Sequence, residues 1–141
     1  KIESSSIFFG VIMQQFLRSL GSQVWLKYPN DLYIDRQKIG GILTQKVRDN
    51  IVCGIGINLI SQDYATLESH ISQHLTPQGF LNDFFESFTS WKQIFSIYKL
   101  EFHKNNSFSF HFRNQRLCLK DAILNDDGSL SVSGERIYSL R

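Results

Sequence analysis

The sequence predicts a mixed α/β domain of the α+β type, a mainly antiparallel β-sheet with helices packed on it and a small β appendage at the C-terminal end. Three observations predict it. Apolar residues recur at helical spacing between Ile7 and Leu20. Short apolar runs broken by turn residues fill 24–58, and aromatic helical patterns from Pro77 to Phe102 give way to strand-like alternation.

Ser4, Ser5 or Ser6 can cap a first helix whose apolar positions are Ile7, Phe8, Val11, Ile12, Phe16, Leu17 and Leu20, and Gly21 suits its left-handed C-terminal cap. Val24-Trp25-Leu26 reads as a buried strand that leads into Lys27. Pro29 fixes a turn, and Asn30 and Asp31 are residues that bond back to turn backbone. Leu32–Ile34, Ile39–Val47 and Ile51–Asn58 then follow as consecutive strands, with turns at Asp35-Arg36-Gln37 and Arg48-Asp49-Asn50. Their continuous apolar character predicts a sheet covered on both faces.

Residues 61–78 read mostly as loop with a short helix. From Pro77 a helix is predicted whose stripe of Phe80, Leu81, Phe84, Phe85, Phe88 and Trp91 faces the core, and a second stretch runs through Ile94, Phe95, Tyr98 and Phe102. Lys104–Ser107 breaks it. In the tail, Phe108, Phe110 and Phe112 alternate, Leu117–Leu124 is strand-like, Asn125–Gly128 makes a hairpin turn, and Leu130, Val132, Ile137 and Tyr138 continue the β pattern. This tail is expected to lean on the main sheet.

With 141 residues the chain is one domain, or one with an appendage. A net charge of +2 without a basic block makes no case for nucleic acid. No apolar run approaches the ~20 residues of a membrane span. Cys53 and Cys118 lack metal-ligand spacing and read as two buried thiols in a reducing compartment, which places the protein in the cytoplasm. His70 and His74 stand four apart without a third ligand and read as surface histidines.

The chemistry-bearing residues gather between Lys27 and Asn58. Lys38 precedes Gly40 and Gly41, so an ammonium stands where backbone can approach a ligand closely. By itself it also fits a solvated hairpin lysine, as does Lys27. Asp31 suits an ordinary turn, or a contact to Mg²⁺ or to a substrate amine. Asn58 closes Gly54-Ile55-Gly56-Ile57-Asn58 and offers a donor and an acceptor side by side, the pattern that matches the edge of adenine.

Taken in order, Lys27-Tyr28-Pro29-Asn30-Asp31-Leu32, Lys38-Ile39-Gly40-Gly41-Ile42-Leu43 and Gly54-Ile55-Gly56-Ile57-Asn58 closely resemble the catalytic domain of biotin protein ligases. The resemblance implies a class II synthetase-like fold, with 1–106 as a catalytic domain missing its N-terminal part and 107–141 as a reduced C-terminal β domain. It implies a two-step reaction. Biotin and ATP give biotinyl-5′-AMP with Mg²⁺, and the biotinyl group then passes to a lysine of a biotin carboxyl carrier protein. Lys38 would touch the biotin carboxylate and phosphate oxygens, and Asp31 would assist the metal or receive the carrier lysine. Lys27, Asn30 and Asn58 would hold the nucleotide. Gly41, Leu43, Gly54 and Gly56 would line the biotin pocket.

The family's Gly-Arg-rich loop should precede the first helix, and nothing ahead of Ser4 fits it, so the chain reads as the C-terminal two-thirds of such a ligase without a winged-helix DNA reader. A homodimer is compatible with this reading. The alternatives are a lipoate or octanoate ligase or transferase of related fold, and a non-catalytic sensor that binds biotin or biotinyl-AMP.

Overall fold

The computed structural model describes residues 4–87 and 89–138. Helix α1 (Ser5–Ser19) lies against a four-stranded antiparallel meander of β1 (Trp25–Lys27), β2 (Asp31–Ile34), β3 (Gln37–Val47) and β4 (Asn50–Ile57), in the spatial order β1-β2-β3-β4. The one-turn α2 (Ser69–Ser72) precedes α3 (Pro77–Glu86) and α4 (Trp91–Glu101), and a 3-10 turn, Phe102–Ser107, ends the helical part. The tail forms two small sheets, a hairpin of β5 (Ser109–Phe112) and β6 (Gln115–Cys118), and a meander of β7 (Ile123–Leu124), β8 (Leu130–Val132) and β9 (Glu135–Ile137).

The apolar spacing of α1 puts Ile7, Val11 and Leu17 wholly inside, against Leu32, Ile39 and Ile42 of the sheet. Burying each such side chain contributes roughly 1.5–3 kcal/mol. Gly10 lets β1 come close, because a Cβ there would stand 2.7 Å from a Leu26 methyl. Gly21, at φ 103°, ends the helix as expected, and Ser22 N–H reaches back to the Leu17 carbonyl at 3.1 Å. At the other end Ser4 occupies the cap position, but its side chain caps nothing, and Ser5 Oγ instead meets Thr44 Oγ1 of β3 at 2.7 Å.

Several expectations need correction. The sheet is covered on both faces only at its β1 end, where Trp25, Leu26 and Lys27 are all buried, while Val47, Ile51 and Val52 at the far end of the β3–β4 hairpin are exposed. The aromatic stripe is not continuous. Ser90 and Gln93 form a capping box that starts a new helix at Trp91. In α3, Phe80 and Phe84 pack on Phe16 and Phe9 of α1, but Leu81 and Phe85 face outward, and Phe88 lies outside the described residues. Cys53 is half-buried and Cys118, on the outer side of a two-stranded hairpin, is exposed. Leu117–Leu124 is broken by a turn that inserts the fully buried Leu119 into the core. The tail leans on the helices as well as the sheet, since the Asn125–Gly128 turn meets Ser4 and Ile7, and the Trp91 indole donates to the Asp126 carbonyl at 3.1 Å.

One polar contact ties α4 to α1. Glu101 accepts from both terminal nitrogens of the Arg18 guanidinium at 2.8 and 3.0 Å and from the Gln14 amide at 2.7 Å. Burial alone would raise its carboxyl pKa, but these bonds outweigh burial and hold it below the ordinary 4.5. A carboxyl depressed on folding stabilises above its unfolded pKa and loses that contribution as pH falls through the folded value. Glu101→Gln is therefore expected to lower unfolding free energy by about 1–2 kcal/mol at neutral pH. The difference from wild type should shrink once pH drops below 4.5, as measured by urea denaturation at stepped pH.

Candidate active site

Lys27 and Asp31 are register partners across the β1–β2 turn, whose Tyr28–Pro29 bond is cis. Asp31 is also paired with Gly41 on β3. Between these points the β2–β3 register slips, with Leu32 opposite Gly40 but Tyr33 opposite Lys38, so Ile39 is an extra residue in β3. Such a bulge re-aims the side chains that flank it. Here it brings Lys38 to the same face as Gly41. A Cβ on Gly41 would stand 3.4 Å from Asp31 Oδ1 and 3.9 Å from Lys38 Cε.

The result is one carboxylate between two ammonium groups. Asp31 Oδ1 lies 2.6 Å from Lys38 Nζ, and Oδ2 lies 3.7 Å from Lys27 Nζ. The Lys27 side chain is only 8% exposed while that of Lys38 is 53% exposed, so one cation is fixed in the wall and the other reaches into the open. Burial, and then the positive charge of Lys38, lower the pKa of Lys27, and the Asp31 carboxylate opposes both. The Tyr33 ring beneath its ammonium, 5.6 Å away, adds a favourable contact.

The turn is held from behind. Asn30 exchanges two bonds with Ile42 of β3: its carbonyl accepts from Ile42 N–H at 2.8 Å, and its amide donates to the Ile42 carbonyl at 2.6 Å. Tyr28 N–H donates to Asn105 Oδ1 at 2.8 Å, and the Asn105 amide donates to the Phe102 carbonyl. Asn105 is wholly buried, a structural role that Lys104–Ser107 did not suggest as a mere helix break. The Tyr28 ring packs edge-on against Phe102 and Phe110.

These residues border a cavity of about 850 Å³. Lys27, Asn30, Asp31 and Lys38 form one wall, and Gly41, Leu43, Gly54 and Gly56 form the floor. Nothing lies within 4 Å of where a Cβ on Gly56 would stand, so the floor is open above that glycine. Leu43, 62% exposed, presents an apolar surface to the same space. Asn58 stands outside the cavity lining: its amide donates to the Ala65 carbonyl at 3.1 Å, and its main chain bonds Ile39 and Leu67. Asn30 and Asn58 thus each give one of two amide N–H donors to a backbone carbonyl. The tail supplies a second wall that the sequence did not reveal, made by Ser109–Arg113 of the β5–β6 hairpin with Tyr138. The only local signal was the Phe108/Phe110/Phe112 alternation. Phe110 seats this hairpin on Tyr28, and Phe108 packs on Trp25.

Among the described residues no group of three His, Cys, Asp or Glu side chains could hold a metal ion, and His70 and His74 are exposed. Asp31 offers a single carboxylate, so a Mg²⁺ that met it would be held mainly by nucleotide phosphates and water. Asn105→Ala is expected to lower stability by about 1–3 kcal/mol, because it leaves the buried Tyr28 N–H unpaired. Hydrogen exchange should show that amide losing protection ahead of the α1 core.

With the geometry in hand, the similarities are informative. Residues 4–59 match the family described as the biotin/lipoate A/B protein ligase family. The bifunctional ligase/repressor BirA of Escherichia coli K12 is 45% identical over 60 residues, covering 38% of this chain and 19% of its own length. The corresponding protein of Salmonella typhimurium LT2 is 40% identical over 78 residues, covering 45% of this chain and 24% of its own. A crystal structure of biotin acetyl coenzyme A carboxylase synthetase from Helicobacter pylori, with bound biotinylated ATP, superposes with a TM-score of 0.84 at 38% identity, over 97% of this chain and 66% of that one. The chain therefore spans about a fifth to a quarter of the curated relatives and somewhat under two thirds of the solved one. The three motifs that build the cavity wall and floor begin and end inside the segment 4–59, which matches the biotin/lipoate A/B protein ligase family.

Proposed function

We propose that this protein activates biotin with ATP to biotinyl-5′-AMP and passes the biotinyl group to a lysine of a biotin carboxyl carrier protein. One observation carries the reading: the Lys38–Asp31–Lys27 cluster stands at the edge of a glycine-floored cavity, in a fold shared with a synthetase that holds biotinylated ATP. An oxygen of the biotin carboxylate attacks the α-phosphorus. The bond from that phosphorus to the bridging oxygen breaks, and pyrophosphate departs with the electron pair. Negative charge grows on the α-phosphate oxygens, and the partly exposed Lys38 ammonium is the group free to follow it. Lys27 adds a fixed charge from within the wall. In the second step the carrier amine attacks the acyl carbon and AMP leaves. Asp31, the carboxylate of the cavity wall, is the group to receive the incoming amine.

Gly41, Gly54, Gly56 and Leu43 give a bicyclic ligand room and an apolar floor. Asn30 and Asn58 tie the motif segments to β3 and to the 61–67 loop through one amide N–H each, and the second N–H of each amide is the donor assigned to the nucleotide. Mg²⁺ would arrive on the nucleotide phosphates and offset their charge. The free thiols, with Cys118 exposed, suit a reducing cytoplasm. No described helix is long and apolar enough to cross a membrane. We assign 1–106 to catalysis and 107–141 to the β appendage, and the exposed edge strand β4 supports a homodimer.

The test is incubation with biotin, ATP and Mg²⁺ and detection of biotinyl-AMP by mass spectrometry, with lipoate or octanoate as competitor. Adenylate of the competitor alone would refute the biotin assignment, and a biotin-dependent melting shift without any adenylate would mark a sensor. Lys38→Ala is expected to slow adenylate formation about 10²–10³-fold with little change in melting temperature, since the side chain is half exposed. Gly56→Val should fold as wild type, because the added methyls meet open space and β-branched residues suit strands. Its melting temperature should no longer respond to biotin.

A further inference from the structure

The β5–β6 hairpin carries a cation into the cavity wall that the adenylation motifs do not account for. The pairing of Phe112 with Gln115 leaves a two-residue loop, Arg113-Asn114, with φ of 45° and 64°. Both positive values belong to the tight turn that favours Asn and Gly, and arginine is not among its preferred residues. Arg48 takes a similar φ of 56° at the β3–β4 turn, so conformation alone marks nothing. What distinguishes Arg113 is that it lines the cavity.

Charge gives it a task. The cavity is bordered by Lys27, Lys38 and Arg113 against the single carboxylate of Asp31, and that carboxylate is matched by Lys38 at 2.6 Å. Arg113 is bound only loosely. Its one ion pair among the described residues is to Glu135 at 3.8 Å, with side chains 78% and 65% exposed, and such a surface pair contributes little. Its guanidinium carbon lies 5.1 Å from the Phe112 ring centroid, a contact that orients the plane without using its donors. A planar fork of donors held at a cavity rim suits a phosphate group, which it can meet through two parallel bonds.

We propose that Arg113 is an anchoring residue for the β- and γ-phosphates of ATP, the half that leaves as pyrophosphate. This rests on the adenylation reading above. Lys27 and Lys38 flank Asp31 where the carboxylate would be activated, whereas the β- and γ-phosphates carry most of the nucleotide's charge and call for a further cation. Arg113, on the exposed hairpin tip, is the cation that meets them, and Glu135 is the carboxylate they displace.

The turn chemistry makes the test selective. Arg113→Asn replaces a disfavoured turn residue with a favoured one, so melting temperature should hold or rise. In the full chain this variant should raise the KM for ATP about tenfold and weaken product inhibition by pyrophosphate to a similar extent, with the KM for biotin unchanged. Arg113→Lys, which keeps the charge but not the fork, should fall between the two. The proposal is overturned if ATP KM and pyrophosphate inhibition stay within about twofold of wild type, or if biotin and ATP constants worsen together with a lowered melting temperature. If wild type forms no adenylate, the reaction assignment fails by itself. Calorimetric titration with inorganic pyrophosphate then decides the role of Arg113: binding weakened about tenfold by Arg113→Asn supports it, and equal or absent binding overturns it.

Discussion

A carboxylate held between two ammonium groups is the constraint around which this fold is arranged. Asp31 lies 2.6 Å from Lys38 and 3.7 Å from Lys27 because two backbone features coincide. A turn at Tyr28–Asn30 makes Lys27 and Asp31 neighbours across a strand pair. A bulge at Ile39 returns Lys38 to their side of the sheet. Gly41 stands beside the pair, where a Cβ would make ordinary contact with Asp31 Oδ1 at 3.4 Å. Burying Lys27 is unfavourable in isolation, as its lowered pKa shows, and the arrangement persists because Asp31 offsets part of that cost.

The surrounding polar contacts make sense as supports for that cluster. Asn30 fastens the turn to β3, and Asn105 fastens it to the 3-10 turn after α4. Farther out, Glu101 ties α4 to α1 through Arg18 and Gln14. These bonds form a chain from the helical layer to the cavity wall, each satisfying a donor that burial would otherwise leave unpaired. The positions that stay open are the glycine floor, the exposed Leu43 and the mouth beside Lys38.

The cavity is shared between distant parts of the chain. Motifs between Lys27 and Gly56 make one wall and the floor, and the β5–β6 hairpin makes the other wall. Aromatic contacts seat that hairpin, with Phe110 on Tyr28 and Phe108 between Trp25 and Tyr33. The tail is thus part of the site as well as an appendage to the sheet.

What the sequence determined by itself was local. Helical spacing in α1, Gly21 as its terminator, the meander of β strands, Pro77 at the start of α3 and the turn at Asn125–Gly128 all follow from periodicity and turn chemistry. The three motifs marked Lys27, Asp31, Lys38 and the floor glycines as a set, because uncommon residue types recurred there at short separations. Tertiary structure alone decided which neighbours each residue meets. An apolar run reads the same whether a helix covers it or not, so Val52 was expected inside and lies outside. Asn58 and Asn30 each give an amide N–H to a backbone carbonyl, of Ala65 and of Ile42, that the sequence pattern did not point to. Arg113 looked like any turn residue, and Asn105 like a helix break. Their parts depend on contacts between segments far apart in sequence, and local pattern carries no record of those.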